Sequence, residues 1–288
     1  MPTRVLGVIA MFWQVLRDPT LGCSSYLLGD DLEGSAMVVD ALGAVGAEAY
    51  VLAAQEAGLA IRWVVETHVH ADHASAAQEL AAAVNVPVTL SHRAAAAFPT
   101  APVRDGDEIR WGSVGVTVWE TPGHTPDSIS LVVRDTLRGD DPWVVLTGDS
   151  LFVGDVGRPD LGDADPEEIR AAALDQFHSV RRFLSLPDFT EVHPAHYGSS
   201  PCGGLFMSKK PSSTVGYERR FNRMLMLEEP TAFVDQQLAL LKPPPPDAER
   251  LRQVNLGAAK PPAADAAAPA PLMAPWLQSG GVKGGVTP

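Results

Sequence analysis

Three histidines and an aspartate occur within six residues of one short stretch of the chain. Residues 67–73 read THVHADH and directly follow an apolar run that is typical of a buried strand. Residues i and i+2 of an extended strand point to the same side, so His68 and His70 can face one centre. Asp72 and His73 then enter the following turn and helix. Imidazole nitrogens together with a carboxylate oxygen suit zinc, iron or manganese, so the stretch predicts a metal site for either hydrolytic or redox chemistry.

Three further ligand-type residues follow predicted strands. His124 ends the sequence TPGH, Asp149 ends TGD and His196 ends PAH. Layered folds that contain β-sheets place their chemistry at strand ends. With the first stretch this makes seven candidate ligands (four plus three), which exceeds the four or so that one metal needs. The set predicts either two metals bridged by Asp149 or one metal with the remaining residues around it.

Apolar runs with strand and helix spacing alternate along the chain. The helix after Asp165 has the clearest start, because Asp165 is suited to the N-cap and Pro166 to the first turn. We predict helices at 47–57, 74–84, 93–98, from 166 onward, 214–227 and 230–241. We predict strands at 5–16, 24–28, 36–39, 61–65, 86–90, 108–111, 114–120, 128–133, 143–146 and 190–192.

Composition excludes several classes of function. The 288 residues carry a formal net charge of −13, which argues against a nucleic-acid partner because phosphate binding needs clustered Lys and Arg. The apolar N-terminal segment 5–16 is too short to cross a bilayer, which needs roughly 20 apolar residues. The two cysteines, Cys23 and Cys202, lie far apart and form no disulfide framework or CxxC motif. We therefore expect a cytoplasmic protein with no membrane partner.

The chain changes character near its end. Residues 243–246 are four prolines, and from 256 onward most residues are Ala, Pro or Gly. Such a segment cannot bury enough apolar surface to order itself. We predict a catalytic domain at 1–255 and a flexible tail at 256–288.

The order of the motifs HxHxDH, TPGH, TGD and PAH resembles the metallo-β-lactamase superfamily over about residues 1–255. The resemblance implies an α+β fold of four layers, an αββα sandwich in which two sheets pack back to back between outer helices. It places the metal site at one edge of the sheets.

Two branches of that superfamily keep the same seven ligand-type residues. One resembles glyoxalase II, a dinuclear hydrolase of hydroxyacylglutathione thioesters. The other resembles bacterial persulfide dioxygenases, which use one Fe(II) and oxidise a low-molecular-weight thiol persulfide such as glutathione persulfide to sulfite and thiol, in sulfide detoxification. The sequences GRPD at 157–160, HYGSSPCG at 196–203 and STVGYE at 213–218 are similar to the dioxygenases, including those fused to a rhodanese domain, and favour that branch.

The resemblance implies a role for each ligand-type residue. In the dioxygenase branch, Fe(II) is held by His68, His124 and Asp149, and the outer residues that orient them are His70, Asp72, His73 and His196. In the hydrolase branch, two zinc ions or a zinc and iron pair are bridged by Asp149. One of these metals is then bound by His68, His70 and His124, and the other by Asp72, His73 and His196. We assign catalytic roles to Asp149, His70 and His196.

Substrate contacts are predicted at Cys202, Arg158 and Tyr197. Cys202 could carry sulfane sulfur or be an inert half-buried thiol, and Arg158 could bind a substrate carboxylate or pair with a neighbouring Asp. Cys23 is predicted to be a core residue. We interpret His92, His178 and His193 as structural.

The expected partners are a thiol persulfide and O2. The sequence shows no rhodanese-type active-site loop, which leaves open a separate sulfurtransferase partner or none. Exposed late helices could support a homodimer.

Overall fold

The computed structural model describes residues 11–161, 165–198, 200–245 and 247–260. Within these ranges the first half of the chain forms a six-stranded sheet whose strands follow the order of the sequence. Its strands are β1 (Met11–Asp18), β2 (Cys23–Asp30), β3 (Ser35–Val39), β4 (Ala60–Val65), β5 (Val88–Ser91) and β6 (Thr100–Val103). β1 to β3 are antiparallel, and β3 to β6 are parallel. Two helices belong to this half, α1 (Ala47–Glu56) and α2 (Ala77–Val84).

The second half forms another six-stranded sheet within the described residues, in the order β14-β13-β10-β9-β8-β7. Its first four strands by sequence are β7 (Glu108–Trp111), β8 (Val114–Glu120), β9 (Ile129–Asp135) and β10 (Val144–Gly148). A two-stranded ribbon, β11 (Leu151–Phe152) and β12 (Asp155–Val156), precedes helix α3 (Pro166–Phe183). The elements that follow in the described part of the chain are β13 (Glu191–Pro194), β14 (Ser213–Thr214), α4 (Val215–Phe221), α5 (Pro230–Ala239) and α6 (Ala248–Asn255).

Alternating side chains of the central strands are buried on both faces of each sheet. In β3, Met37 and Val39 belong to the core between the sheets, whereas Val38 packs beneath α1 and α2. In β9, Leu131 faces the same central core and Val132 packs beneath α3 and α5. Successive residues of a strand point to opposite faces, so continuous apolar strands of this kind require cover on both sides. The predicted αββα sandwich is confirmed.

Most predicted elements are present, with shifts of a few residues. The helix predicted at 93–98 is wrong: after β5 the chain turns and leads to β6, with no helical turn of its own. The helix predicted at 214–227 stops at Phe221, because the Asn222 side chain accepts hydrogen bonds from the backbone nitrogens of Met224 and Leu225 instead of continuing the helix. Residues 5–10 of the first predicted strand lie outside the described residues.

Helix α6 and the short strands β6, β11, β12 and β14 were not predicted. The predicted tail begins as ordered backbone, since Leu256 O accepts a hydrogen bond from the Ala97 nitrogen at 2.8 Å. Residues 261–288 lie outside the described residues. Among the described helices, none combines the length and the apolar character needed to cross a membrane.

Candidate metal centre

The THVHADH stretch forms the connection between β4 and α2 and is held by hydrogen bonds at several points. Ile129 donates its backbone N–H to Thr67 O at 2.7 Å, and Val69 donates its own to Asp127 Oδ2 at 2.8 Å. Asn255 Nδ2, at the end of α6, donates to the carbonyls of both His70 and His73 at 2.9 Å. These bonds determine where the histidine side chains can point.

His68, His124 and Asp149 converge on one point. His68 Nε2 lies 3.7 Å and His124 Nε2 lies 3.4 Å from Asp149 Oδ2. All three side chains are buried, and each of these three atoms lacks a hydrogen-bond partner. Buried polar atoms in native proteins normally have hydrogen-bond partners. Three unpartnered atoms that can each ligate a metal and that lie close together therefore fit a metal ion. Two imidazoles and one carboxylate make the facial donor set of non-haem iron(II) sites.

Hydrogen bonds on the far side of each imidazole set its tautomer. Thr67 Oγ1 lies 2.9 and 3.0 Å from the Asp40 carboxylate oxygens and 3.0 Å from His68 Nδ1. A carboxylate only accepts, so the Thr67 hydroxyl donates to Asp40 and accepts from His68 Nδ1–H. His124 Nδ1–H similarly donates to Arg158 O at 2.8 Å. Both rings are thereby left with a free Nε2 lone pair toward Asp149, the arrangement of a metal-binding histidine.

The pKa shifts in the triad agree with this arrangement. Burial, and then the neighbouring imidazole of His70, lower the pKa of His68 well below its ordinary value. Burial also lowers the pKa of His124, against the opposing effect of Asp149. The pKa of Asp149 is lowered even though burial opposes this, because His196 and the other two imidazoles stabilise its charge. Neutral imidazoles and an ionised carboxylate are the protonation states that bind a metal.

The His70 ring lies 4.2 Å from the His68 ring, but its Nε2 is close to two carboxylates outside the triad. Its Nε2 lies 3.4 Å from Asp40 Oδ1 and 3.3 Å from Glu66 Oε2. Burial raises the pKa of Glu66 to about 7. Burial and the neighbouring His73 lower the pKa of His70, but the nearby carboxylates of Asp40 and Glu66 outweigh them and raise the value overall. The structure therefore brings His70 together with two carboxylates that the sequence reasoning did not single out.

A second group of donors lies next to the triad. His196 Nδ1 is 2.6 Å from Asp149 Oδ1, and its Nε2 is 2.8 Å from Asp72 Oδ2. His73 Nδ1 is 2.9 Å from Asp72 Oδ1. Burial opposes the charge on both imidazoles, yet Asp149 and Asp72 raise the pKa of His196 and Asp72 raises the pKa of His73 to about 10. The Cys23 thiol, which sequence reasoning placed in the core, is buried within this group.

Two of the three predicted substrate contacts are enclosed by protein. Cys202 is fully buried, within 4.8 Å of donor atoms of Asp149 and His196. Burial, reinforced by Asp72 and Asp149, raises the pKa of its thiol well above the ordinary value. Arg158 forms a two-point ion pair with Asp160 at 2.6 and 2.8 Å. Its guanidinium also donates to three backbone carbonyls, those of Pro201, Lys242 and Pro243. Arg158 is thus paired with a neighbouring Asp, and its contact with a substrate carboxylate stays a prediction.

Tyr197 lines an open cleft. The cleft has a volume of about 420 Å³, and its walls are the β1–β2 turn and the loop after His196, with Lys209 on the rim. The Arg17 guanidinium lies 5.9 Å from the centre of the Tyr197 ring. Lys209 supplies a cationic group to the lining, which suits a carboxylate, and the substrate contact at Tyr197 stays a prediction.

The three histidines interpreted as structural lie away from these clusters. His193 Nε2 is 2.8 Å from Glu191 Oε2, and the ring packs on Trp13. His92 Nδ1 is 3.3 Å from Glu120 Oε1, and His178 packs edge-on against Phe177.

The motifs, the two packed sheets and the buried donor clusters define a metal-binding member of the metallo-β-lactamase superfamily. The sequence matches this superfamily over residues 18–196, which is more than half of the chain, and the protein belongs to it.

Known relatives lie in more than one branch. A metallo-β-lactamase from Staphylococcus aureus subsp. aureus COL is 31% identical with a TM-score of 0.78, over 87% of this chain and 73% of that one. ETHE1 from Myxococcus xanthus is 28% identical with a TM-score of 0.73, over 85% and 98%. A hydroxyacylglutathione hydrolase from Methylobacterium sp. (strain 4-46) is 33% identical over 184 residues, which cover 63% of this chain and 60% of that relative.

Proposed function

We propose that this protein is an iron-dependent dioxygenase that oxidises a low-molecular-weight thiol persulfide, of the glutathione persulfide type, to sulfite and the free thiol. The observation that carries the proposal is the convergence of three unpartnered buried atoms, His68 Nε2, His124 Nε2 and Asp149 Oδ2. His70, which a dinuclear site would need beside His68, has its Nε2 3.4 Å from Asp40 Oδ1 and 3.3 Å from Glu66 Oε2. The similarity to ETHE1, a persulfide dioxygenase, supports the same choice.

The overall reaction balances without a further reductant. A persulfide RSSH, one O2 and one H2O yield RSH and sulfurous acid, which ionises to sulfite near neutral pH. The outer sulfur atom is oxidised, and O2 is reduced. An iron(II) ion held by the triad would supply the O2 chemistry that no side chain offers on its own.

The chain's own groups would hold the reaction centre in place. His68, His124 and Asp149 offer three donors and leave other coordination positions open. His196 donates to Asp149 Oδ1 at 2.6 Å, which leaves Oδ2 directed at the two imidazoles. The Thr67 and Arg158 contacts keep both imidazoles in the tautomer that exposes Nε2. The cleft beside Tyr197 would receive the carrier thiol, and its Lys209 would face a carboxylate of that carrier.

A metal-dependent thioester hydrolase of the glyoxalase II type is the second candidate. The relative named hydroxyacylglutathione hydrolase favours it, as does the second donor group of Asp72, His73 and His196. In that mechanism a water molecule activated by two metals attacks a thioester carbonyl. It requires His70 to leave Asp40 and Glu66 and to join His68 and His124.

Two activities measured on one sample distinguish the candidates. Protein loaded with Fe(II) under anaerobic conditions is given glutathione persulfide, and O2 uptake and sulfite are followed, with lactoylglutathione hydrolysis measured in parallel. We expect persulfide-dependent O2 uptake with sulfite formation and no comparable thioester cleavage. Rapid thioester cleavage without O2 uptake would overturn the dioxygenase proposal.

The His70→Ala variant gives an independent test that does not rely on turnover. We expect it to retain iron, because His70 is not part of the iron-binding triad, whereas His68→Ala loses iron. Equal loss of iron in the two variants would place His70 in the iron site and favour the dinuclear hydrolase.

A further inference from the structure

Two buried glutamines on the outer helices support the loop that follows Asp149. Gln176 lies on α3 and is 0% exposed, and Gln237 lies on α5 and is 6% exposed. Glutamine is mostly exposed in folded proteins, so two buried ones beneath a single loop call for an explanation. This loop, residues 150–157, contains β11 and β12 and connects Asp149 to Arg158. We call it the ribbon loop.

Each glutamine donates its side-chain amide to one end of the ribbon loop. Gln176 Nε2 donates to Ser150 O at 2.5 Å, and Gln237 Nε2 donates to Gly157 O at 2.7 Å. The two ends are also bonded to each other, since Gly157 N–H donates to Ser150 O at 3.3 Å. Helices α3 and α5 therefore hold the base of the loop from both sides.

The ends of the ribbon loop are direct neighbours of the metal triad. Ser150 follows Asp149 in the chain. Gly157 precedes Arg158, whose carbonyl accepts a hydrogen bond from His124 Nδ1–H at 2.8 Å. A Cβ at Gly157 would lie 1.9 Å from Asp149 O and 3.1 Å from His124 Cβ. The Gly157 backbone thus packs against two of the three triad residues, so a shift of the loop would move both.

Gln176 also contacts the TPGH segment. Gly123, directly before His124, has φ +137°, and a Cβ at this position would lie 2.4 Å from both Cα and Oε1 of Gln176. A positive φ favours glycine, and the missing side chain lets this backbone approach α3. One glutamine therefore contacts the chain beside His124 and the chain beside Asp149.

Only the N–H side of each amide has a hydrogen-bond partner within the described residues. Gln176 Oε1 and Gln237 Oε1 are both buried without one. An unsatisfied buried acceptor costs stability, and an apolar side chain of similar size would fill the same space without that cost. Stability alone therefore does not account for glutamine at these two positions, whereas the need for an N–H donor does.

We propose that Gln176 and Gln237 are positioning residues for the metal triad. Their amide N–H groups fix the ribbon loop so that His124 Nε2 and Asp149 Oδ2 converge, at 3.4 Å from each other. Both act through backbone carbonyls of the loop. The inference rests on the proposed function in naming iron as the metal, because the hydrolase alternative also uses His124 and Asp149 as ligands.

The Gln237→Met variant tests the proposal, because methionine has a similar length and no N–H donor. We expect the Fe(II) affinity, measured by anaerobic chelator competition, to fall about 10–100-fold, as for other groups that orient metal ligands. The electron paramagnetic resonance spectrum of Fe(II) protein exposed to nitric oxide should also change, since it reports the arrangement of ligands around the iron. Gln236→Met is the matched control, because Gln236 is the exposed neighbour on α5 and should keep both wild-type values.

A purely structural role for Gln237 gives a different result. In that case Gln237→Met changes the free energy of unfolding in urea and leaves the Fe(II) affinity and the nitric oxide spectrum at their wild-type values. That outcome would overturn the proposal, as would equal losses of affinity in Gln237→Met and Gln236→Met.

Hydrogen–deuterium exchange of the unmutated full chain keeps the test decisive where Gln237→Met fails to fold. Fe(II) should slow exchange in the ribbon loop and in α5 more than in α1, which covers the other sheet. Equal exchange in α5 with and without Fe(II) would contradict the proposal. Weaker iron binding by Gln237→Met, in a protein without persulfide-dependent O2 uptake, would refute the proposed function and leave the positioning role standing.

Discussion

At the scale of single residues, the geometry of the triad of His68, His124 and Asp149 depends on groups outside it. Thr67 joins Asp40 to His68 through one hydroxyl, and the direction of its hydrogen bond determines which nitrogen of His68 is free. Thr67 therefore controls the tautomer of a candidate metal ligand.

Replacing Thr67 with valine should weaken iron binding. The change removes the acceptor of His68 Nδ1–H and leaves Asp40 without the Thr67 hydroxyl. Loss of such an outer hydrogen bond typically costs about 10–100-fold in metal affinity, and we expect a loss in that range by chelator competition. Thr190→Val is the control, because Thr190 Oγ1 also donates a hydrogen bond, to Pro142 O, at a distance from the site. Similar iron affinity in both variants would contradict the assigned role of Thr67.

At the scale of secondary-structure elements, α6 holds the 67–73 loop in place through hydrogen bonds. Its last residue, Asn255, donates to the carbonyls of His70 and His73 and accepts from Ser75 N–H at 3.0 Å. The helix follows the proline run 243–246, inside the catalytic domain predicted at 1–255, and the helix itself was not predicted.

Asn255→Ala should loosen the metal-binding loop. Three hydrogen bonds to backbone groups disappear, and the unsatisfied partners should lower the free energy of unfolding by about 1–3 kcal/mol. Urea unfolding measures this loss, and iron retention should fall with it. Gln253→Ala on the same helix is the control, because Gln253 Nε2 bonds only to exposed Glu249. Equal stability of the two variants would show that the Asn255 hydrogen bonds do not stabilise the loop.

Helix α4 carries a buried carboxyl that should make stability depend on pH. Glu218 accepts hydrogen bonds from Gly154 N–H, Ser213 Oγ and Asn222 Nδ2. Burial, with a smaller contribution from Asp155, raises the pKa of Glu218 above its ordinary value of 4.5. The folded state therefore keeps this proton at a pH where the unfolded state has lost it, so the stabilisation present below pH 4.5 is lost as pH rises through the folded-state pKa.

Glu218→Gln should remove that pH dependence. The unfolding temperature of the variant should fall less than that of the wild type as the pH rises from acidic to mildly alkaline. Thermal unfolding at several pH values measures this difference. Exposed Glu56, replaced by Gln in the same way, should leave the wild-type pH profile unchanged. Parallel pH profiles for Glu218→Gln and the wild type would show that Glu218 is not the titrating group.

At the scale of the whole molecule, the metal centre exists only because the two sheets pack together. The first sheet supplies His68 after β4, and the second supplies His124, Asp149 and His196 after β8, β10 and β13. The core between the sheets contains Val65 and Leu146, which precede these ligands on the two sides. Iron bound across both sheets should therefore stabilise the entire fold.

Iron should raise the thermal unfolding temperature through the His68 triad. A ligand that binds only the folded state stabilises it by about 2.7 kcal/mol when present at 100 times its dissociation constant. We expect an increase for the wild type in anaerobic thermal unfolding with Fe(II), and no increase for His68→Ala. His178→Ala is the control, since His178 is exposed on α3 and should keep the effect. An unchanged iron effect in His68→Ala would exclude the triad as the iron site.

The motifs HxHxDH, TPGH, TGD and PAH are short local patterns, so the sequence by itself determined the superfamily and, through that resemblance, the layered fold. The same motifs predicted the candidate metal ligands. The tertiary structure alone decided which ligands meet. His70 turns to Asp40, Cys23 meets His73 across 50 residues, and Asn255 reaches His70 across 185. These contacts depend on how distant segments pack, and no local spacing encodes them.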